Sequence, residues 1–324
     1  MINVRTDLAI EAREIYQEEN KSEVDGVIVN EVEDEGTVIT TVKVTNEDGS
    51  KKMGKPIGSY ITLDIPEYTA YDGGLMDDVS NALGRTLKKL AGMTPEKTAL
   101  VVGLGNWNVT PDALGPKVAE KIMVTRHLDA VMPEAIDDSI CRVAAIAPGV
   151  LGLTGIETGE VIKSLVDRIK PDLVVCIDAL ASRKIERVNR TIQISDTGIS
   201  PGAGVGNHRM KINEETLGVR VIAIGVPTVV DAATIANDTI DLVLDDLINQ
   251  SQEGKEFYNM LKKIDKNEKS MLIKEVLNPY VGDLVVTPKE VDLMIDSLAK
   301  IVANGINIAL QPNLTMEDIN KFLN

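Results

Sequence analysis

The run Val174-Val175-Cys176-Ile177-Asp178-Ala179-Leu180-Ala181 constrains this chain more than any other segment. An unbroken apolar stretch reads as a strand covered on both faces, as in a sheet with helices on each side. Read as a strand over 173–177, it delivers a bare carboxylate, Asp178, at its carboxyl end. A second apolar run, 100–105, leads into a loop carrying Asp112. In an open parallel sheet, ligands bind beyond the carboxyl ends of the strands. Two acidic groups at that edge form a candidate catalytic pair.

The surrounding pattern supports such a sheet. From about residue 97, apolar segments at 99–103, 143–147, 173–177 and 221–225 alternate with helical stretches at 117–123, 161–169 and 234–247. That alternation predicts an α/β fold with a mainly parallel or mixed sheet flanked by helices. Residues 191–194 add another strand. Earlier in the chain, 8–20 reads as a helix, 26–30 and 37–45 as strands around an acidic turn at 31–36, 46–50 as a turn, 61–63 as a strand and 79–91 as a helix. Residues 249–255 read as a polar surface loop. A helix is expected from Thr287, with Thr287 as N-cap, Pro288 in the first turn and Glu290 closing a capping box. Val291, Met294, Ile295, Leu298, Ile301 and Val302 mark its buried face, and Gly305 is expected to end it.

Composition narrows the function classes. The 324 residues carry a net charge of −16, which disfavours direct contact with nucleic acid, because phosphate binding needs Lys and Arg clusters. Aromatic residues make up 3%, so aliphatic side chains must build the core. Cys141 and Cys176 each sit beside or within an apolar run and read as free, buried thiols of a reducing compartment. The first residues lack an apolar signal segment, and no run of about 18 apolar residues suggests a membrane span.

The candidate chemistry follows from electrostatics. Two carboxylates a few ångströms apart cannot both ionise cheaply, so one holds a proton. The ionised partner can draw a proton from water, and the protonated one can donate to a leaving amine. That suits hydrolysis of a peptide bond. Spacing alone leaves open that each Asp caps a helix or pairs with an Arg. Other motifs carry less. Gly103-Leu104-Gly105 follows a strand, but position 108 is Asn where a dinucleotide fingerprint needs Gly. Asp196-Thr197-Gly198 matches a triplet of all-β proteases, an architecture that this chain does not spell. The Gly-rich stretch 200–207 lacks the Lys-Ser/Thr of a phosphate loop. His127 and His208 read as structural or hydrogen-bonding residues, and Cys176 is too apolar in its surroundings to be a reactive nucleophile.

Long segments resemble the germination protease family of spore-forming Firmicutes: VRTDLAIEA at 4–12, VVGLGNWNVTPDALGPK at 101–117, TRHL at 125–128, APGVLGLTGIET at 147–158, CIDALASRKIERVNRTIQISDTGISPGAGVGN at 176–207, GVPTVVDA at 225–232 and VTPKEVD at 286–292. The resemblance implies an endopeptidase that degrades small acid-soluble spore proteins, with a phosphorylase/hydrolase-like fold similar to hydrogenase maturation proteases. It implies an atypical aspartic mechanism with Asp112 and Asp178 as the catalytic pair. It further implies a zymogen that removes its own propeptide, a homotetramer, no established cofactor or metal, no membrane, and the cytoplasm of the forespore and spore core.

Family substrates carry Glu, then a bulky apolar residue, then Ala. Thr6-Asp7-Leu8-Ala9 copies that pattern with Asp for Glu, so cleavage is expected between Asp7 and Leu8. The chain would then divide into a propeptide, 1–7, and a single catalytic domain, 8–324, with an N-terminal strand extension and C-terminal helices. That propeptide is shorter than in better-known members. An acidic substrate needs cationic subsites: Arg183, Lys184, Arg187, Arg190 and Arg209 lie in the loops after Asp178, and Arg126 precedes His127. The substrate-binding candidates are Arg183, Arg187, Arg209, Glu157 and His127. Three other readings stay open. One is a nickel-dependent maturation-type protease, binding metal through Asp112, Asp178 and a His. Another is a phosphorylase-like enzyme, against which counts the scarcity of aromatics in the loops at the carboxyl edge of the sheet, where Trp107 is the only one. The last is a scaffold without chemistry.

Overall fold

A computed structural model gives the structure, and it describes residues 6–66, 73–131, 139–200, 209–250, 272, 275–276 and 284–323. Among these, nine strands form one mixed sheet. They are β1 (Val27–Asp34), β2 (Thr37–Val44), β3 (Gly58–Asp64), β4 (Thr98–Gly103), β5 (Arg142–Ile146), β6 (Leu173–Ser182), β7 (Thr191–Ser195), β8 (Arg220–Asp231) and β9 (Val285–Val286). The order is β1-β2-β3-β7-β8-β6-β4-β5, with β9 added to β8. Strands β5, β4, β6 and β8 run parallel, whereas β1, β2, β3, β7 and β8 pair antiparallel in turn. The expected α/β class with a mixed sheet is therefore the observed one.

Helices cover both faces. On one face α3 (Gly73–Ala91), α4 (Leu114–Glu120) and α10 (Val291–Leu310) build the larger core with Leu83, Leu114, Val175, Ile177, Ile192 and Leu298. On the other, α7 (Thr158–Ile169) contributes Ile162 and Val166 to a second core with Val174 and Cys176. The α1 helix (Ala9–Asn20) closes a third cluster over β2 and β3. Short helices lie at α2 (Glu47–Met53), α5 (Leu128–Val131), α6 (Leu151–Thr154) and α8 (Glu214–Leu217), and α9 (Ala232–Gln250) and α11 (Met316–Leu323) complete the described set.

Several local expectations are corrected. The expected turn at 46–50 is mostly α2: Asn46 caps it, its Oδ1 accepting from Gly49 N–H at 2.8 Å. The acidic stretch 31–34 continues β1, because an edge strand leaves Glu31 and Glu33 in water. Residues 249 and 250 still belong to α9, and the rest of the expected loop, 251–255, lies outside the described residues. Thr287 does not cap α10: its hydroxyl donates to the Thr228 carbonyl at 2.9 Å, and the helix begins after Glu290, which makes no side-chain cap.

Gly305 does not end α10 either. A Cβ there would lie 2.6 Å from Leu83 atoms, so the glycine lets α10 seat against α3. By length and composition α10 could cross a membrane, but 67% of its most apolar window is buried inside the protein, as in a core helix.

Candidate active site

The strands β6 and β8 are longer than the apolar pattern suggests. β4 ends at Gly103, paired with Ile177, while β6 continues to Ser182. Asp178 is thus inside a strand, at the level where its neighbour stops. Its side chain is only 7% exposed. Across β6, β8 and β7 the paired residues run Asp178, Gly225, Gln193. Directly paired residues share a face, so Asp178 and Gln193 flank a glycine, two strand spacings or about 10 Å apart. A side chain at Gly225 would strike Leu180 at 2.3 Å. The glycine therefore makes room for Leu180, and Asp178, Leu180, Gln193 and Gly225 line one cavity.

Asp112 reaches the same opening from the loop after β4. It ends a 3-10 turn, Thr110–Asp112, before α4. The loop packs with no room to spare. A Cβ at Gly103 would lie 2.1 Å from the Gly115 carbonyl, and one at Gly115 would lie 2.7 Å from the Ile177 carbonyl. Gly105, at φ +116, would put a Cβ 2.0 Å from the Asp112 carbonyl. These glycines press the Asp112 loop onto β6 beside Asp178. Close backbone approach explains the Gly-x-Gly that superficially suggests a nucleotide fingerprint. The Asn106 N–H donates to Asp112 Oδ2 at 2.8 Å, and the Ala179 N–H to Asp178 Oδ1 at 3.0 Å.

Asp112 and Asp178 line one cavity of about 550 Å³, and Asp7 lines it with them. Burial pushes the Asp178 carboxyl well above the usual carboxylate range, and the charges of Asp112 and Asp7 push it the same way. Burial also raises Asp112, opposed by the Asn106 N–H and the Arg209 charge. Asp7 is raised by burial, against the Ala181 N–H and Lys55. Three carboxyl groups facing one opening favour retained protons, with Asp178 the most strongly held. Cys176 is fully buried with its thiol pushed upward by burial, consistent with an inert side chain.

The N-terminal segment is fastened into this cavity. The Asp7 N–H donates to the Ala181 carbonyl at 3.1 Å, and the Ala181 N–H donates to Asp7 Oδ2 at 2.9 Å. Lys55 Nζ donates to the Asp7 carbonyl at 2.9 Å and Gln193 Nε2 donates to it at 3.1 Å. Gln193 Oε1 accepts from Ala9 N–H at 2.7 Å. Leu8 is fully buried beside Ile10 and Leu180. Thr6 bonds to Glu11, which is 1% exposed and accepts from the Arg183 and Lys184 N–H groups at 2.7 and 2.9 Å.

The cationic candidates divide. Arg209 acts electrostatically on both aspartates. Arg183 is engaged by Asp238 of α9, and Arg187 by Asp64 and Glu14 at 2.9 Å each. Both arginines are held in these ion pairs, and neither lines the cavity. Lys184 likewise pairs with Glu14. Glu157 precedes α7 outside the cavity lining. His127 is exposed, and the preceding Arg126 N–H bonds to Val143 near the amino end of β5, away from the site edge. His208 and most of the Gly-rich stretch lie outside the described residues. Among the described residues no group of three or more His, Cys, Asp and Glu is placed to hold a metal ion.

Sequence reasoning missed Lys55 and Gln193. Lys55 follows a helix cap outside the matching segments, and Gln193, although inside the segment 176–207, sits in an apolar strand with no second polar residue beside it to suggest a role. A polar Gln in the middle of a buried strand was the available signal, since a buried amide needs partners.

The germination protease family matches residues 5–261 and 244–323. A germination protease of Clostridium perfringens is 70% identical over 325 residues, covering all of both chains. One from Clostridium tetani is 61% identical over 323 residues, again covering all of both. One from Bacillus cereus is 44% identical over 352 residues, covering 98% of this chain and 96% of the relative. Among solved structures, a [NiFe] hydrogenase maturation protease HycI from Thermococcus kodakarensis KOD1 matches 60% of this chain and 99% of its own at 18% identity. Its TM-score of 0.28 is too low to bear on function.

Proposed function

The chain belongs to the germination protease family and is a peptidase, and from that premise we propose that it hydrolyses peptide bonds by an aspartic mechanism centred on Asp112 and Asp178. The observation that carries the reading is the shared cavity: both aspartates line it, and the charge of one helps hold a proton on the other. Asp178, the more deeply buried, is the acid. Asp112 is raised by burial too, but it is less buried than Asp178 and the Asn106 N–H and the Arg209 charge favour its carboxylate, which makes it the base of the pair.

Asp112 takes a proton from water as the water oxygen adds to the peptide carbonyl carbon. The carbon–nitrogen bond then breaks with its electron pair going to nitrogen, which takes the proton of Asp178. The products are a carboxylic acid and a free amine. One proton remains on the pair, now on Asp112, and its return to Asp178 resets the site.

The substrates under this reading are small acid-soluble spore proteins, cut after an acidic residue, by an enzyme made as a zymogen. Asp7–Leu8 is the self-processing bond, and the fastening of Asp7 beside the pair supports that assignment. Homotetrameric assembly and residence in the spore cytoplasm are part of the same proposal. The test is digestion of a purified small acid-soluble spore protein with sequencing of the new N-termini. Wild type should cut after acidic residues, and Asp112→Asn should lose about 10²–10⁴-fold in rate. An Asp112→Asn protein that digests at the wild-type rate would contradict the mechanism.

A further inference from the structure

We propose that Lys55 Nζ and Gln193 Nε2 form the carbonyl-binding site of this peptidase, holding the oxygen of the bond to be cut and stabilising it as it becomes an oxyanion. The inference rests on the reading of Asp7–Leu8 as a cleavable bond.

Three observations converge on it. The Asp7 carbonyl, which belongs to that bond, takes two side-chain donors, at 2.9 Å from Lys55 and 3.1 Å from Gln193. Both donors already hold the ground-state carbonyl oxygen, the atom on which negative charge develops, and a preorganised cation aimed at that charge stabilises it without reorganisation at the moment of reaction. Gln193 also spans the bond, since its Oε1 accepts from Ala9 N–H on the far side at 2.7 Å. One amide side chain thus fixes the peptide on both flanks. Finally, Gln193 pairs across Gly225 with Asp178, and Asp7, Gln193, Asp112 and Asp178 line the same cavity, so the held bond and the carboxyl pair share one site.

The acidic side chain before the bond is read separately, by the Ala181 N–H at 2.9 Å. Burial lowers the Lys55 ammonium from its ordinary range, and the charges of Asp7 and Glu11 act against that, so an acidic residue before the bond helps keep Lys55 charged. Once residues 1–7 depart, Lys55 Nζ, Gln193 Nε2 and the Ala181 N–H lose their Asp7 partners together. They are then left for an acidic peptide supplied in trans, provided that the Ala9 N–H also yields Gln193 Oε1. As water adds to the carbonyl carbon, the carbonyl electron pair moves onto oxygen beside the Lys55 ammonium. It returns to re-form the carbonyl as the carbon–nitrogen bond breaks.

The experiment uses a synthetic peptide copying residues 3–12 and the full chain bearing Lys55→Met, Lys55→Arg or Gln193→Ala, with the surface variant Lys163→Met as control. Self-trimming and peptide cleavage are followed by mass spectrometry, and folding by thermal unfolding. The expected result is a 10²–10³-fold drop in kcat for Lys55→Met, the effect of losing one oxyanion donor, with KM changed by about threefold or less. Lys55→Arg, which keeps a cationic donor, should recover part of that loss, and Gln193→Ala should lower kcat even where Lys55→Met fails to fold. Folded variants that cut at the wild-type rate, or that lose only KM, overturn the carbonyl site while leaving the peptidase reading intact. A wild type that cuts neither itself nor the peptide overturns both.

Discussion

At the scale of single residues, the decisive fact is that Asp178 is buried inside a strand with two other carboxyl groups facing the same opening. Its folded carboxyl is raised by burial and by Asp112 and Asp7. The folded protein therefore binds this proton more tightly than the unfolded chain. The stability contributed is fully present below the ordinary carboxylate range and is lost as pH rises through the raised value. Asp178→Asn removes that loss, so the variant should melt a few degrees above wild type at neutral pH and converge with it near pH 4, while losing hydrolysis. Thermal scans across pH check the sign. The acidic pair itself was legible in the sequence, because an apolar strand carrying one carboxylate stands out. The donors to the Asp7 carbonyl were not: Lys55 and Gln193 reach it across 48 and 186 residues, and nothing local marks such a meeting.

At the scale of elements, packing decides what patterns cannot. The loop that carries Asp112 is held by glycines, and Gly105 combines φ +116 with a 2.0 Å approach to the Asp112 carbonyl. Gly105→Ala should cost about 1–3 kcal/mol from backbone strain, displace Asp112 and depress kcat more than KM, as steady-state kinetics would register. Arg187 ties the turn after β6 to β3 and α1 through Asp64 and Glu14. Arg187→Met should cost about 1–2 kcal/mol, between the exposed and fully buried limits for an ion pair, yet leave KM for an acidic peptide unchanged in the folded protein. A selective rise in KM would return Arg187 to substrate binding. Periodicity located α1, α3, α7 and most strands. It misplaced both ends of α10, because Thr287 spends its hydroxyl on β8 and Gly305 serves an interhelical contact.

At the scale of the whole molecule, a parallel half and an antiparallel half share β8, and the cavity opens where β4 stops short and β6 and β8 run on. The fold class was readable from alternation alone, whereas strand order was not, since spacing says nothing of which strands are neighbours. The N-terminal segment adds Asp7 to the cavity, and its charge helps raise Asp178. A chain beginning at Leu8 should therefore show a lower Asp178 pKa than the full chain, measurable by carboxyl-carbon NMR of labelled protein.

The most direct test of the central claim is the intact mass of the full-length protein after incubation under mildly acidic, dehydrating conditions. The wild type should lose residues 1–7 and begin at Leu8, whereas Asp178→Asn should keep its N-terminus. Equal trimming of both proteins between Asp7 and Leu8 would contradict the claim that the carboxyl pair cuts this bond.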